Sequence, residues 1–268
     1  MRAPFKEVVL EGVASGPVSA RVFCDALNDK TAPVVLYLHG GAFLDTAVNV
    51  GRPVAECLAD AGAIVVDADC SGPTDNGFPK SLEYAYGVLE YLARKRELGG
   101  KKSLLLVAGE ESGGNLAAGV ALKARDQMPG MLDGQVLISP LLDPFMGSKS
   151  FQRDQSGMRE RWSEGWNRYL GFLGGVCHPY AAPRFCSRLA GLAPTLLLTS
   201  EDDPLRDESL EYGSLLSKAG VSLHQKILPA GMGWTKIYGG QSDEEPTWQK
   251  EICRNFKGFV EELRVRPG

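Results

Sequence analysis

The sequence predicts one α/β domain built on a mostly parallel sheet, and its length, its alternation of segments and its composition support this fold class. A chain of 268 residues is long enough for one large core, and no shift in composition marks a second domain, so residues 1–268 are predicted to form one unit. Short apolar runs alternate with segments of helical periodicity, which is typical of a parallel sheet with helices on both faces. Hydrophobic residues make up 44% of the chain and charged residues 23%, as expected for a globular domain.

Eight short apolar runs are predicted to be the strands of this sheet. They are Glu7–Leu10, Val18–Phe23, Val34–Leu38, Ala63–Asp67, Ser103–Val107, Gln135–Ile138, Thr195–Thr199 and Ser222–Leu228. The segments between them carry apolar residues at helical spacing, most clearly on the last helix. That stripe consists of Trp248, Ile252, Phe256, Phe259, Val260 and Leu263.

One segment breaks the alternation of strands and helices. Residues 144–192 are rich in glycine, arginine and aromatic residues, with a helical stretch around Trp162, Trp166 and Tyr169. Because this segment lies between two predicted strands, we expect a small cap over the carboxyl ends of the strands, where ligands bind in open α/β sheets. Trp162, Trp166 and Trp234 are expected either to line an aromatic pocket or to form the core of the cap.

Charge and hydropathy exclude several classes of function. The net charge of −4 argues against a nucleic-acid partner, because phosphate contacts need a basic face. No apolar run approaches the ~18 residues that span a bilayer, and the amino terminus lacks the apolar core of a signal peptide. Six cysteines are scattered without metal-ligand spacing, which favours reduced thiols. We therefore expect a cytoplasmic protein that binds a small molecule, without a cofactor and without nucleic-acid or membrane contacts.

The first motif follows the strand that ends at Leu38. It consists of His39, Gly40, Gly41 and Ala42. Glycines at this place let backbone N–H groups approach a developing negative oxygen closely, as in an oxyanion site.

The second motif has the layout of a nucleophile elbow, with strand, tight turn and helix in succession and small residues two positions before and after the centre. The residue at that centre is Glu111, where the pattern has serine. If Ser112 were the centre, Glu110 would stand two positions before it, where the turn needs a small residue. Ser112 is therefore assigned to the oxyanion site, as a third N–H donor.

The third motif and one further segment follow the last two predicted strands. The third motif reads Asp-Pro-Leu-Arg-Asp-Glu and begins at Asp203. An aspartate in this setting commonly caps a turn and the helix after it. The further segment reads Pro-Ala-Gly-Met-Gly-Trp, with Met232 as its fourth residue.

In this order and spacing, the three motifs resemble those of the hormone-sensitive-lipase group of α/β-hydrolases, which read HGGG, GDSAGGN and DPLRDE. The resemblance implies an α/β-hydrolase fold with an eight-stranded sheet and an esterase-like site. It also implies that Glu111, Asp203 and Met232 stand at the positions of the catalytic serine, acid and histidine. Ordinary ester hydrolysis is then expected to be very weak or absent.

Three roles of Glu111 stay open. As a nucleophile it would resemble the aspartate of haloalkane dehalogenases and epoxide hydrolases, but the ester intermediate then needs a histidine to activate water. As a general acid or base, with Asp203, it would serve a hydrolase or lyase that acts on a small carbonyl or ester substrate. As a plug, its carboxylate would occupy the oxyanion site at a helix N-terminus.

The plug explains the loss of both serine and histidine with one assumption, and it predicts a protein that binds a small ligand without turning it over. The gibberellin receptor, a member of this group that lost its histidine and became a ligand sensor, is a precedent.

Two expectations concern metals and assembly. Glu110, Glu111, Asp202 and Asp203 would bring four carboxylates to the strand ends, but no histidine joins them, so we expect no metal. A homodimer through the last strand and helix is common among similar proteins and is a further expectation.

Overall fold

An eight-stranded sheet with the strand order β1-β2-β4-β3-β5-β6-β7-β8 forms the centre of the computed structural model, which describes residues 5–24, 31–44, 52–69, 77–98, 103–171 and 178–265. The strands are β1 Phe5–Leu10, β2 Val18–Phe23, β3 Val34–Leu38, β4 Ile64–Ala68, β5 Leu105–Glu110, β6 Gly134–Pro140, β7 Thr195–Ser200 and β8 Leu223–Leu228. Strand β2 is antiparallel to β1 and β4, and all other neighbours are parallel. The eight predicted strands and the mostly parallel sheet are confirmed.

Helices cover both faces of this sheet. They are α1 Arg52–Asp60, α2 Lys80–Leu98, α3 Glu111–Gln127, α4 Lys149–Gln152, α5 Arg159–Leu170, α6 Arg206–Lys218 and α7 Gln249–Val265. Successive strand residues point to opposite faces, so Val35 joins one apolar core with α1 and α7, while Leu36 joins the other with α2, α3 and α6. The apolar stripe predicted for the last helix lies in the first of these cores. Within the described residues, no helix is both long and apolar enough to cross a membrane.

The segment between β6 and β7, which the sequence predicts as a cap, contains α4, α5 and a short 3-10 turn, Pro183–Phe185. Residues 172–177 of this segment lie outside the described ranges. Trp162, Trp166 and Tyr169 of α5 are buried. Helix α5 lies directly on the loop after β3, because a Cβ added to Gly165 would overlap the carbonyl oxygen of Ala42. This contact brings α5 over the carboxyl ends of the central strands.

Candidate functional site

The turn from β5 to α3 is the sharpest feature of the site. Strand β5 ends at Glu110 and helix α3 begins at Glu111, without an intervening loop. Glu111 has a φ of 52°, in the left-handed region that costs energy for a residue with a side chain. Gly113 is required two positions later, because a Cβ there would overlap the backbone oxygens of Leu38 and His39. This is the strand–turn–helix geometry that the sequence predicts.

The Glu111 carboxylate reaches the loop that follows β3. Its Oε2 atom accepts hydrogen bonds from the N–H groups of Gly41 at 2.7 Å and Ala42 at 2.9 Å. The hydroxyl of Ser112 donates to the same oxygen at 2.6 Å. Glu111 is 0% exposed, so water does not compete with these three hydrogen bonds.

The other oxygen of Glu111 is bound by the cap segment. The indole Nε1–H of Trp162, on α5, donates to Glu111 Oε1 at 2.5 Å. Trp162 is itself fully buried, between the rings of Phe151 and Tyr238 at centroid distances of 5.5 and 5.4 Å. Glu111 therefore has four donors from three parts of the chain and no contact with solvent.

The neighbouring Glu110 is equally buried but has fewer partners. Its Oε1 atom accepts the N–H of Gly40 at 2.9 Å, while its Oε2 atom has no hydrogen-bond partner among the described residues. Burial raises the pKa of Glu110 to about 8, with a further upward contribution from the Glu111 charge and a downward one from the Gly40 hydrogen bond. The N–H of Gly40 thus binds Glu110 rather than the oxygen that Gly41 and Ala42 share.

Asp203 lies just after β7 and is 1% exposed. Its hydrogen-bond donors are the N–H of Leu205, the hydroxyls of Ser139, Thr199 and Tyr238, and the indole of Trp234. The Leu205 bond, 2.9 Å long, closes the turn before α6, as the sequence predicts, but the N-cap of α6 is Leu205 and no side chain caps the helix. Burial raises the pKa of Asp203, and the hydrogen bonds from Ser139 and Thr199 oppose this rise.

Trp234, not Met232, is the residue of its segment that contacts this acid. The Trp234 Nε1–H lies 3.1 Å from Asp203 Oδ2 and 2.7 Å from the hydroxyl oxygen of Ser139. Met232 is half-buried and packs against the apolar core, and its carbonyl accepts the N–H of Thr247 at 3.1 Å. An indole, which has no acceptor nitrogen, therefore occupies the contact with Asp203.

The three histidines are engaged elsewhere. His39 Nδ1 donates to the Gly40 carbonyl at 2.8 Å. His178 packs 4.7 Å from the ring of Phe78. His224, on the edge strand β8, lies 3.4 Å from Glu262. In the described ranges, the hydrogen bonds to Glu111 and Asp203 include none from a histidine, and no group of three or more His, Cys, Asp or Glu side chains is placed to hold a metal ion.

Sequence reasoning missed the role of Glu110 and left Trp162 and Trp234 as general aromatic residues. One signal was available for the tryptophans, because a buried indole N–H needs an acceptor and each predicted carboxylate needs donors. Their pairing was not readable, because Trp162 lies 51 positions from Glu111 and Trp234 lies 31 positions from Asp203.

The sheet order and the sharp turn at Glu111 define an α/β-hydrolase. Comparison with known proteins agrees, since a family described as the alpha/beta hydrolase fold matches residues 35–232. Esterase LipI of Mycobacterium tuberculosis is 31% identical over 226 residues, which cover 80% of this chain and 69% of LipI. Carboxylesterase NlhH of the same species is 29% identical and covers 83% of this chain and 72% of NlhH.

Among solved structures, the thermostable carboxylesterase EstE1, cloned from a metagenomic library, superposes with a TM-score of 0.81 at 25% identity. The match covers 100% of this chain and 91% of the EstE1 chain. The chain belongs to the α/β-hydrolase family, in its esterase- and lipase-like group. The family resemblance that the three motifs indicate is thus confirmed.

Proposed function

We propose that this protein is an α/β-hydrolase relative that binds a small molecule and does not hydrolyse esters by the serine mechanism. In this proposal Glu111, Asp203 and Met232 stand at the positions of nucleophile, acid and histidine, and His39, Gly40, Gly41, Ala42 and Ser112 form the former oxyanion site. The observation that carries the proposal is the Glu111 carboxylate, whose Oε2 atom accepts from Gly41, Ala42 and Ser112.

The donors that bind Glu111 are those an oxyanion would need. An oxyanion site works because backbone N–H groups are fixed toward a developing negative charge. Here the N–H groups of Gly41 and Ala42 already donate to the Glu111 carboxylate, at 2.7 and 2.9 Å. A substrate oxygen would have to displace a buried carboxylate, and that carboxylate would lose three hydrogen bonds in the exchange.

The partners of Asp203 support the same reading. In a serine hydrolase the acid orients a histidine, which takes the proton of the nucleophile. Here the described donors to Asp203 include the indole of Trp234, which donates a proton and has no lone pair to accept one. Asp203 then serves the turn before α6 and the packing of Trp234, and needs no catalytic partner.

The alternative is an active hydrolase or lyase in which Glu111 works with Asp203 on a small carbonyl or ester substrate. Nucleophilic attack needs a carboxylate oxygen that can reach substrate, and both Glu111 oxygens are engaged by donors and buried. An oxygen that already accepts three hydrogen bonds is also a poor proton acceptor. The contacts of the site therefore favour the binding protein.

The proposal also includes the domain organisation, the cellular location and the oligomeric state of the protein. We assign residues 144–192 to a cap within one domain, because Trp162 of this segment seals Glu111. We propose a cytoplasmic protein without nucleic-acid or membrane partners, in line with its net charge of −4. Strand β8 lies at the edge of the sheet with His224 to Ile227 exposed, which leaves room for a homodimer through this strand.

The deciding experiment is hydrolysis of a short-chain p-nitrophenyl ester by the purified protein, beside Glu111→Gln. We expect background rates from both proteins, and background also from Glu111→Ser, because no base accompanies the new serine. The positive control combines Glu111→Ser with Met232→His, or with Trp234→His beside Asp203. Each of these double variants has both a serine nucleophile and a histidine base, so it can turn over the ester. Turnover by the unaltered protein that disappears in Glu111→Gln would overturn the proposal and establish the carboxylate enzyme.

A further inference from the structure

Two phenylalanines of the cap segment form an exposed aromatic pair, which we call the aromatic ridge. Phe145 is 68% exposed and Phe185 is 45% exposed, and no other Phe, Tyr or Trp side chain among the described residues is exposed. The two rings meet edge to face with centroids 5.8 Å apart. Single exposed apolar side chains are common on protein surfaces, but aromatic residues that cluster on the surface are typical of the centre of a protein interface.

Asp143, which is buried, fixes both segments that carry the ridge. Its Oδ1 atom accepts the N–H of Phe145 at 3.0 Å, and its Oδ2 atom accepts the N–H of Gly147 at 3.4 Å. The same carboxylate forms an ion pair with Arg184, whose guanidinium carbon lies 5.7 Å from the centroid of the Phe185 ring. Because these segments are already ordered, covering the ridge with a partner costs little conformational entropy.

An acidic cleft of about 580 Å³ borders the ridge on the side of Phe145. Its lining includes Glu160 and Glu164, which are exposed and one turn apart on α5. Neither glutamate forms an ion pair with a described residue. Arg159 also lines the cleft, but its guanidinium donates to the Phe151 carbonyl at 2.6 Å and lies over the Phe151 ring. This side of the ridge therefore carries two negative charges and one positive charge.

A basic cleft of about 310 Å³ borders the ridge on the side of Phe185. Its lining includes Arg125 and Asp126, which form an ion pair at 2.8 Å. Arg188, also in the lining, is exposed and has no ion pair with a described residue. Along the surface the order is therefore acidic cleft, Phe145, Phe185 and basic cleft.

This order of charges decides which partner fits the ridge. A two-fold axis through the ridge brings the acidic cleft of one copy to the basic cleft of another and packs the two ridges together, so the surface is complementary to itself. A partner of uniform charge would be repelled on one side. We propose that a second copy of this chain docks on the aromatic ridge about a two-fold axis, with Glu160 and Glu164 of each copy facing the basic cleft of the other.

This contact is separate from the other features proposed for the protein. None of its residues belongs to β8, so it differs from a dimer through that strand. None of them donates a hydrogen bond to Glu111, so the inference does not rest on the proposed function.

The first test is sedimentation velocity of the full chain over a range of concentrations, at low ionic strength because salt screens exposed charges. We expect a reversible doubling of mass. Phe145→Ser should weaken this association at least about tenfold, because central aromatic residues dominate interfaces and each substitution occurs twice in a two-fold contact. Lys95→Glu, an exposed change on α2 outside both clefts, should associate like the unaltered chain.

An exchange of charges tests the two-fold arrangement itself. One variant carries Arg188→Glu, and a second carries Glu160→Lys with Glu164→Lys; these positions are exposed, so both variants should keep the fold. Each variant alone places like charges opposite one another and should lose the doubling. An equimolar mixture should regain it, because every charged contact of the mixed dimer again joins opposite charges.

A dimer through β8 would persist in all these variants and would not respond to the mixing. Two outcomes would overturn the proposal. One is the absence of a mass increase that Phe145→Ser removes, and the other is a mixture that associates no more than its two components.

Discussion

The Glu111 and Asp203 regions each bind a buried carboxylate through several hydrogen-bond donors, but the donors come from different parts of the chain. Both hold a buried carboxylate at the carboxyl end of the sheet, and both use an indole N–H as one donor. Glu111 relies on the backbone of the loop after β3, whereas most donors to Asp203 are side chains, three of them hydroxyls. In both regions N–H and O–H donors surround a buried carboxylate, and this shared arrangement is the one on which the proposed function rests.

The largest expected effect comes from removing the acid that depends on side chains. Asp203→Ala leaves the hydroxyls of Ser139, Thr199 and Tyr238 without their common acceptor, whereas the indole of Trp234 keeps its 2.7 Å hydrogen bond to Ser139. Unsatisfied buried donors cost about 1–3 kcal/mol each when they cannot relax, so we expect a loss of about 5 kcal/mol in the free energy of unfolding. Urea unfolding measures it, and Asp202→Ala, at the exposed neighbouring position, should lose at most about 1 kcal/mol. Equal losses in the two variants would show that Asp203 has no special structural role.

The second largest effect is a pH dependence of stability that distinguishes Glu110 from the adjacent Glu111. The folded chain keeps a proton on Glu110 up to a pKa of about 8, whereas the unfolded chain loses it near the ordinary value of 4.5. The stability contributed by this proton is complete below pH 4.5 and is lost as the pH rises through about 8.

Glu110→Gln keeps the shape without the titration, so its unfolding free energy should fall about 3–4 kcal/mol less between pH 5 and 9 than that of the unaltered chain. Chemical denaturation across this range measures the difference. Glu11→Gln, an exposed control, should follow the unaltered chain, and a parallel curve for Glu110→Gln would contradict a protonated Glu110.

The smallest effect tests the plug directly. Glu111→Ala removes a CH₂–COO⁻ group, so its loss of about 2–3 kcal/mol should be partly restored by acetate, which has the same carboxylate and carbon. With a dissociation constant of about 10 mM, 100 mM acetate would stabilise the variant by about 1.4 kcal/mol.

Thermal unfolding in acetate, against chloride at the same ionic strength, measures this rescue. The unaltered chain and Glu164→Ala, an exposed change on α5, should show no difference between the two salts. Rescue of all three proteins would mean a general salt effect, and rescue of none would remove the anion-site interpretation of Gly41 and Ala42.

The local sequence predicts the strands and helices, and it predicts which backbone turns and carboxylates form the site. Short segments with an apolar centre specify β3, β5, β6 and β7, because a strand buried on both faces admits few polar residues. The two glycines before Ala42, and Gly109 and Gly113 around Glu111, mark close backbone approach, which is a property of single positions. These signals predict the turn at Glu111 and the His39–Ala42 loop, and contact between the two is one of the three roles that the sequence leaves open for Glu111.

The tertiary structure alone decided which partners fill the site. Trp162 reaches Glu111 from 51 positions away, Ser139 reaches Asp203 from 64 positions away, and Glu110 binds Gly40 across 70 positions. Hydrogen bonds of this length in sequence depend on how the cap segment and strand ends pack, and no local pattern encodes them. The identity of the carboxylates therefore follows from the sequence, whereas their burial, their donors and the raised pKa of Glu110 follow from the fold.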